Sequence, residues 1–153
     1  METAKSIFRE SRSGRIHEVL GMRHVYKATA AETGGAYVSF EIEIPPGCGA
    51  PMHRHEIDSE SFYVLAGEIA FTDSAGTRVA RSGDFVYLPR GGEHAFVNEG
   101  AAPARALVIA APGVEAERFF AEVDASFGQG PPDVAALTAM AARHGLAILP
   151  PAA

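Results

Sequence analysis

Hydrophobic and polar residues alternate most cleanly in AYVSFEIEIPP, from Ala36 to Pro46, where Val38, Phe40, Ile42 and Ile44 interleave with Tyr37, Ser39, Glu41 and Glu43. A period of two puts each set on its own face of a strand, so this stretch predicts a strand with one buried and one wet side. Pro45-Pro46-Gly47 ends it, because proline has no N–H for the ladder and glycine accepts turn dihedrals. A shorter strand is predicted from Arg23 to Thr29. Downstream come SFYVLAGEIAFT, RVARSGDFVYLP, EHAFVN and ARALVIAAP, short apolar or alternating runs separated by Gly67, Asp73-Ser74-Ala75-Gly76, Ser82-Gly83, Arg90-Gly91-Gly92 and Asn98-Glu99-Gly100. Strands at such close spacing predict a sandwich or small barrel.

After Pro112-Gly113 the period changes. VEAERFFAEVDASF carries Val114, Phe119, Phe120, Val123 and Phe127 at spacings of three to five without Gly or Pro, which predicts an amphipathic helix packed on the barrel. A GQGPP linker leads to a second helix, with Asp133 as N-cap, Leu137, Met140, Ala141 and His144 along one side, and Gly145 as the left-handed C-terminal cap. The tail LAILPPAA is apolar enough to dock or to meet a partner subunit. Before the first strand, Ile7, Phe8, Ile16, Val19 and Leu20 are isolated apolar positions, a pattern that suits an arm laid over a neighbouring surface better than a core element. The resulting division is an arm over residues 1–22, a barrel over 23–112 and a helical extension over 113–153.

Composition narrows the partners. A chain of 153 residues is one domain's worth and needs no disulfide or structural metal simply to fold. A formal net charge of −6, with the 13 basic residues scattered, argues against nucleic acid or an anionic membrane as a partner. The single cysteine, Cys48, has no partner for an internal disulfide and reads as a small hydrophobe. The first residues show no apolar signal region and no apolar run approaches the roughly 20 residues of a membrane helix, so a cytoplasmic location is expected.

The chemistry is concentrated in two stretches. His53, His55 and Glu60 fall within eight residues, and His94 follows in GDFVYLPRGGEHAFVN. Imidazole and carboxylate are the usual ligands of divalent transition metals, and three His with one Glu inside an apolar barrel would form a mononuclear site. His53 and His55 share strand parity. Glu60 lies five residues beyond His55, the wrong parity for an unbroken strand, so a bend or bulge is expected between them. His17, His24 and His144 have no ligand-like neighbours and are expected to be surface or hydrogen-bonded residues.

These residues are those of a known family. Gly47, His53, His55, Glu60 and Gly67 match the first motif of the cupins, G-x5-HxH-x4-E-x6-G; Gly83, Pro89, Gly91, His94 and Asn98 match the second, G-x5-PxG-x2-H-x3-N. The chain therefore resembles the cupins over roughly residues 36 to 112. That resemblance implies an all-β fold, a double-stranded β-helix or jelly-roll barrel, here followed by two C-terminal α-helices. It implies His53, His55, Glu60 and His94 as ligands of one divalent transition ion per chain, Fe, Mn or Ni before Zn, Co or Cu, and a structural role for Asn98. Glu56 and Asp58 do not sit at the motif spacing and are expected in a solvated bend.

Within the cupins the run HRHEIDSESFYVLAGEIAF, the HAFVN segment and the ERFFAEV helix are most similar to small proteins of the quercetin dioxygenase type. That likeness implies a dioxygenase acting on a small aromatic or enolisable substrate, with Glu60 as both ligand and catalytic base. The alternatives are a non-redox metal enzyme (isomerase, lyase or polyketide cyclase) and a non-catalytic small-molecule-binding protein. Phe40, Ile42, Met52, Phe62, Val64 and Phe96 are the expected pocket wall, with Phe119 or Phe120 contributed by the helix. By analogy of fold, a homodimer using the N-terminal arm is expected.

Overall fold

The chain builds its strands from the alternations just described, and the computed structural model describes residues 4–151 of it. In chain order the strands are β1 (Ile16–Val19), β2 (Met22–Ala28), β3 (Val38–Ile44), β4 (Gly49–His55), β5 (Ser59–Ala66), β6 (Glu68–Asp73), β7 (Gly76–Arg81), β8 (Phe85–Leu88), β9 (Glu93–Val97) and β10 (Ala104–Ala111). Two helices follow, α1 (Val114–Phe127) and α2 (Val134–Arg143), and then a last strand, β11 (Leu146–Ile148). Two antiparallel sheets face each other: six strands in the order β1-β2-β3-β10-β5-β8, and five in the order β11-β4-β9-β6-β7. This is the jelly-roll barrel, a double-stranded β-helix with two helices near its C-terminal end. No helix among the described residues is long and apolar enough to cross a membrane.

The core lies between the sheets and follows the period of two. Val38, Phe40, Ile42 and Ile44 of β3 are buried, and Ala104, Ala106, Val108 and Ala110 of β10 pack beside them. Small alanines on β10 leave room for the aromatic rings of β3, β5 and β9. Gly67 joins β5 to β6 at φ +73°, and a Cβ there would stand 2.8 Å from Ala104 Cα, so both the turn dihedral and the close approach require glycine. Asn98 braces the same end, where Ile44 pairs with Ala104. It is fully buried, its side-chain amide donates to the Ile44 and Ala102 carbonyls at 2.8 Å each, and its carbonyl accepts from Gly100 N–H at 2.9 Å.

The helices read from the sequence are present. On α1, Phe119, Phe120 and Val123 are buried with Ala116, whereas Val114 is 37 % exposed and Phe127 is half-buried. On α2, Asp133 caps the first turn through Ala136 N–H at 2.8 Å, and Leu137, Met140 and Ala141 are buried. Gly145 follows at φ +73°, where a Cβ would come within 2.4 Å of the Ile57 side chain.

Two segments depart from the sequence reading. Residues 16–19 are not a free arm: β1 pairs with β2 through the two-residue turn Leu20-Gly21, in which both residues have positive φ, as a tight hairpin turn requires. Val19 is buried, and four residues were too few for the alternation to be legible. The extension after 113 is not wholly helical either, since β11 adds an edge strand beside β4, pairing Leu146 with His55 and Ile148 with His53. The apolar tail thus docks on its own barrel. Residues 1–3 of the expected arm and 152–153 of the extension lie outside the described residues.

Candidate metal centre

Two sheets supply the site. β4 carries His53 and His55 on its inner face, and β9 sets His94 directly across from His53 in register. Glu60 belongs to the other sheet, on β5 between Ala110 of β10 and Leu88 of β8. The parity conflict between His55 and Glu60 is therefore resolved by a turn over residues 56–58 that changes sheets. That turn is pinned from both sides: Glu56 N–H donates to the Gly145 carbonyl at 2.7 Å, and Gly91 N–H donates to the His55 carbonyl at 2.8 Å. The second contact ties the two motifs together.

All four side chains are buried, and one ligand atom from each lies within 4.8 Å of the others. Glu60 Oε2 stands 3.5 Å from His55 Nε2 and 3.7 Å from His94 Nε2. Two of the three imidazoles are fixed from behind by hydrogen bonds. His53 Nδ1 donates to the Pro51 carbonyl at 2.7 Å and His94 Nδ1 to the Gly92 carbonyl at 3.2 Å; a carbonyl only accepts, so Nδ1 carries the proton and Nε2 offers its lone pair. His55 Nδ1 is 2.9 Å from Asp58 Oδ2, close but poorly aligned for a hydrogen bond. Nε2 of His55 and of His94 are buried without a hydrogen-bond partner among the described residues. Inward lone pairs, an ionised carboxylate and a carboxylate or carbonyl behind each ring are what a divalent transition ion requires, so the residues fit one.

Asp58 was misplaced by sequence reasoning. It is 1 % exposed, not solvated, because the sheet-changing turn folds its side chain under His55. Glu56 does face solvent, where it pairs with Arg54 at 2.7 Å. The signal available for Asp58 was its position three residues past a candidate ligand in a segment that had to bend.

Burial disfavours charge on His55, but the Glu60 carboxylate, joined by that of Asp58, outweighs it and raises the pKa to about 9. Burial likewise pushes the Glu60 carboxyl up, and the positive fields of His55, His94 and His53 overcome it, bringing the pKa down to about 2. His53 is lowered to about 4, by burial first and then by His94. A pKa of about 9 for His55, above its ordinary 6.5, means the folded metal-free protein holds that proton more tightly than the unfolded chain. Its stabilising contribution is full below pH 6.5 and is lost as pH rises through about 9. Metal binding has to displace the same proton. Calorimetry of Zn(II) binding in buffers of different ionisation enthalpy is expected to show proton release at pH 7 and almost none at pH 10.

His53, His55 and Glu60, but not His94, line a cavity of about 60 Å³, on a measure in which one water takes about 10–15 Å³. Phe40, Ile42, Phe62 and Phe96 line it, with Phe119 and Phe120 from α1, and among the described residues no Lys or Arg does. Met52 and Val64 do not. Met52 is one residue from His53 and so has the opposite parity, facing away from the site; Val64 points inward but is fully covered in the core. His17 and His144 are hydrogen-bonded on the helices, to Asp124 at 3.2 Å and to Glu115 and Glu122 at 2.9 and 2.5 Å. His24 is different. It lines the cavity, is 2 % exposed, and neither ring nitrogen has a partner among the described residues.

Comparison with known proteins finds a family model described as Cupin domain matching residues 40–110. An oxalate-binding protein of Thermotoga maritima is 32 % identical over 59 residues, 39 % of this chain and 49 % of that protein, so the chain spans about half the length of the curated relative it matches. Among solved structures, a sugar phosphate isomerase from a cupin superfamily, of Silicibacter pomeroyi, aligns at TM-score 0.53 and 25 % identity over 60 % of this chain and 59 % of that one. The polyketide cyclase RemF of Streptomyces resistomycificus aligns at TM-score 0.61 and 23 % identity over 70 % and 80 %. The last likeness is one of fold.

Proposed function

The chain belongs to the cupin superfamily, and on that footing we propose that it is a metal-dependent enzyme acting on a small aromatic or enolisable substrate, with dioxygen as co-substrate. One observation carries this reading: in a buried set of three His and one Glu, His53, His55 and Glu60 line an apolar cavity that no Lys or Arg among the described residues enters. At about 60 Å³ the cavity favours a small substrate over one the size of a flavonol. A divalent transition ion held by His53, His55, Glu60 and His94 would supply the Lewis acidity that acidifies an enol or phenol hydroxyl.

The chain's own residues do the rest. Glu60, a carboxylate in the cavity wall, accepts the substrate proton at a carboxylate oxygen. The rings of Phe40, Phe62 and Phe96 pack against the substrate's apolar body and keep water from the deprotonated form. His53 and His94, fixed through Nδ1, hold the centre rigid while the proton moves.

The test is oxygen consumption by protein reconstituted with Fe(II), Mn(II), Ni(II) or Zn(II), against a panel of small enols and monocyclic phenols. Uptake with a redox-active ion and none with Zn(II) supports the reading. A second reading, proton transfer without oxygen, is supported by the 25 % identity to a sugar phosphate isomerase. Turnover under argon with Zn(II) would select it. The absence of Lys and Arg from the cavity counts against a phosphorylated substrate in either case.

A further inference from the structure

His24 is buried on β2 opposite Ile42 of β3, stacked on Phe40 at 4.2 Å between ring centroids and 12° between planes, with Phe120 edge-on at 4.7 Å. Its ring walls the same cavity as His53, His55 and Glu60, yet it is not one of the four residues whose ligand atoms converge. Both its nitrogens are buried and without a protein partner among the described residues. Plain packing does not account for it, since a phenyl ring would make the same stacking contacts with no polar atoms to desolvate. Burial holds the ring neutral, with a pKa near 3, so one nitrogen donates and the other accepts.

We propose that His24 is the specificity-determining residue of the cavity, hydrogen-bonding a second hydroxyl or carbonyl oxygen on the substrate while Phe40 and Phe120 hold its ring in place. This rests on the reading that small aromatic or enolic molecules bind in the cavity at the metal centre. The preferred substrate is then a ring or enol with two oxygen groups, one toward the ligand cluster and one toward β2. A simple monohydroxylated ring leaves His24 without its partner.

Phenol, catechol, resorcinol and hydroquinone titrated into the Zn(II)-loaded full chain by calorimetry provide the test. At least one dihydroxybenzene is expected to bind about tenfold more tightly than phenol, the worth of one buried hydrogen bond. His24→Phe, which keeps the stacking, is expected to abolish that preference, and His24→Gln, which keeps a donor and an acceptor, to retain it. An undiminished preference in His24→Phe would overturn the role of His24 while leaving the cavity reading intact. Failure of all four compounds to bind the loaded wild-type chain would overturn the cavity reading itself, and this inference with it.

Discussion

Glu60→Gln is expected to lower kcat/KM by about 10²- to 10⁴-fold, the usual worth of a positioned general base, while the protein stays folded. The two side chains are nearly the same size, and the position is buried against His55 and His94, so the barrel has no reason to rearrange. What disappears is a carboxylate; an amide cannot take a proton at neutral pH. The amide oxygen also ligates a cation weakly, so rates are to be measured on protein whose metal content is determined in the same sample. A metal-loaded Gln variant with wild-type rates would remove Glu60 from the proton transfer.

Asp58→Asn is expected to weaken metal binding about 10- to 100-fold, the range for losing a carboxylate behind a ligating imidazole. Asp58 does not line the cavity at the site and is fully buried, and its Oδ2 lies 2.9 Å from His55 Nδ1, so its effect on the centre runs through that ring. The pH dependence separates this from a general loosening of the turn. In the wild type, proton competition at His55, whose pKa is about 9, costs about 100-fold in affinity at pH 7. Without the Asp58 charge that competition eases, so the deficit of the variant is expected to be smaller at pH 7 than at pH 10, as read by competition with a chelator. A deficit that is the same at both values would indicate that Asp58 only packs the turn.

Parity carried the sequence reading furthest. The alternation of β3 and the shared parity of His53 and His55 are properties of adjacent residues, and the motif spacing added Glu60 and His94; the structure brings these four side chains together. The same rule applied one residue earlier would have turned Met52 away from the site. What stayed hidden depends on contacts between distant segments. Asp58 is buried only because the chain changes sheets between His55 and Ser59, and His24 enters the cavity only because β2 lies beside β3 and under Phe120. β1 and β11 are edge strands of four and three residues, whose pairing is set by the strands they join rather than by any pattern of their own.

The central claim is that His53, His55, Glu60 and His94 hold one metal ion. It is tested most directly by elemental analysis of protein purified without added metal, beside His94→Ala prepared in the same way. The wild-type chain is expected to retain about one divalent transition ion per molecule through dialysis, and the variant close to none at an unchanged fold. A wild-type chain that retains none, even after loading, or a variant that retains as much, would contradict the claim.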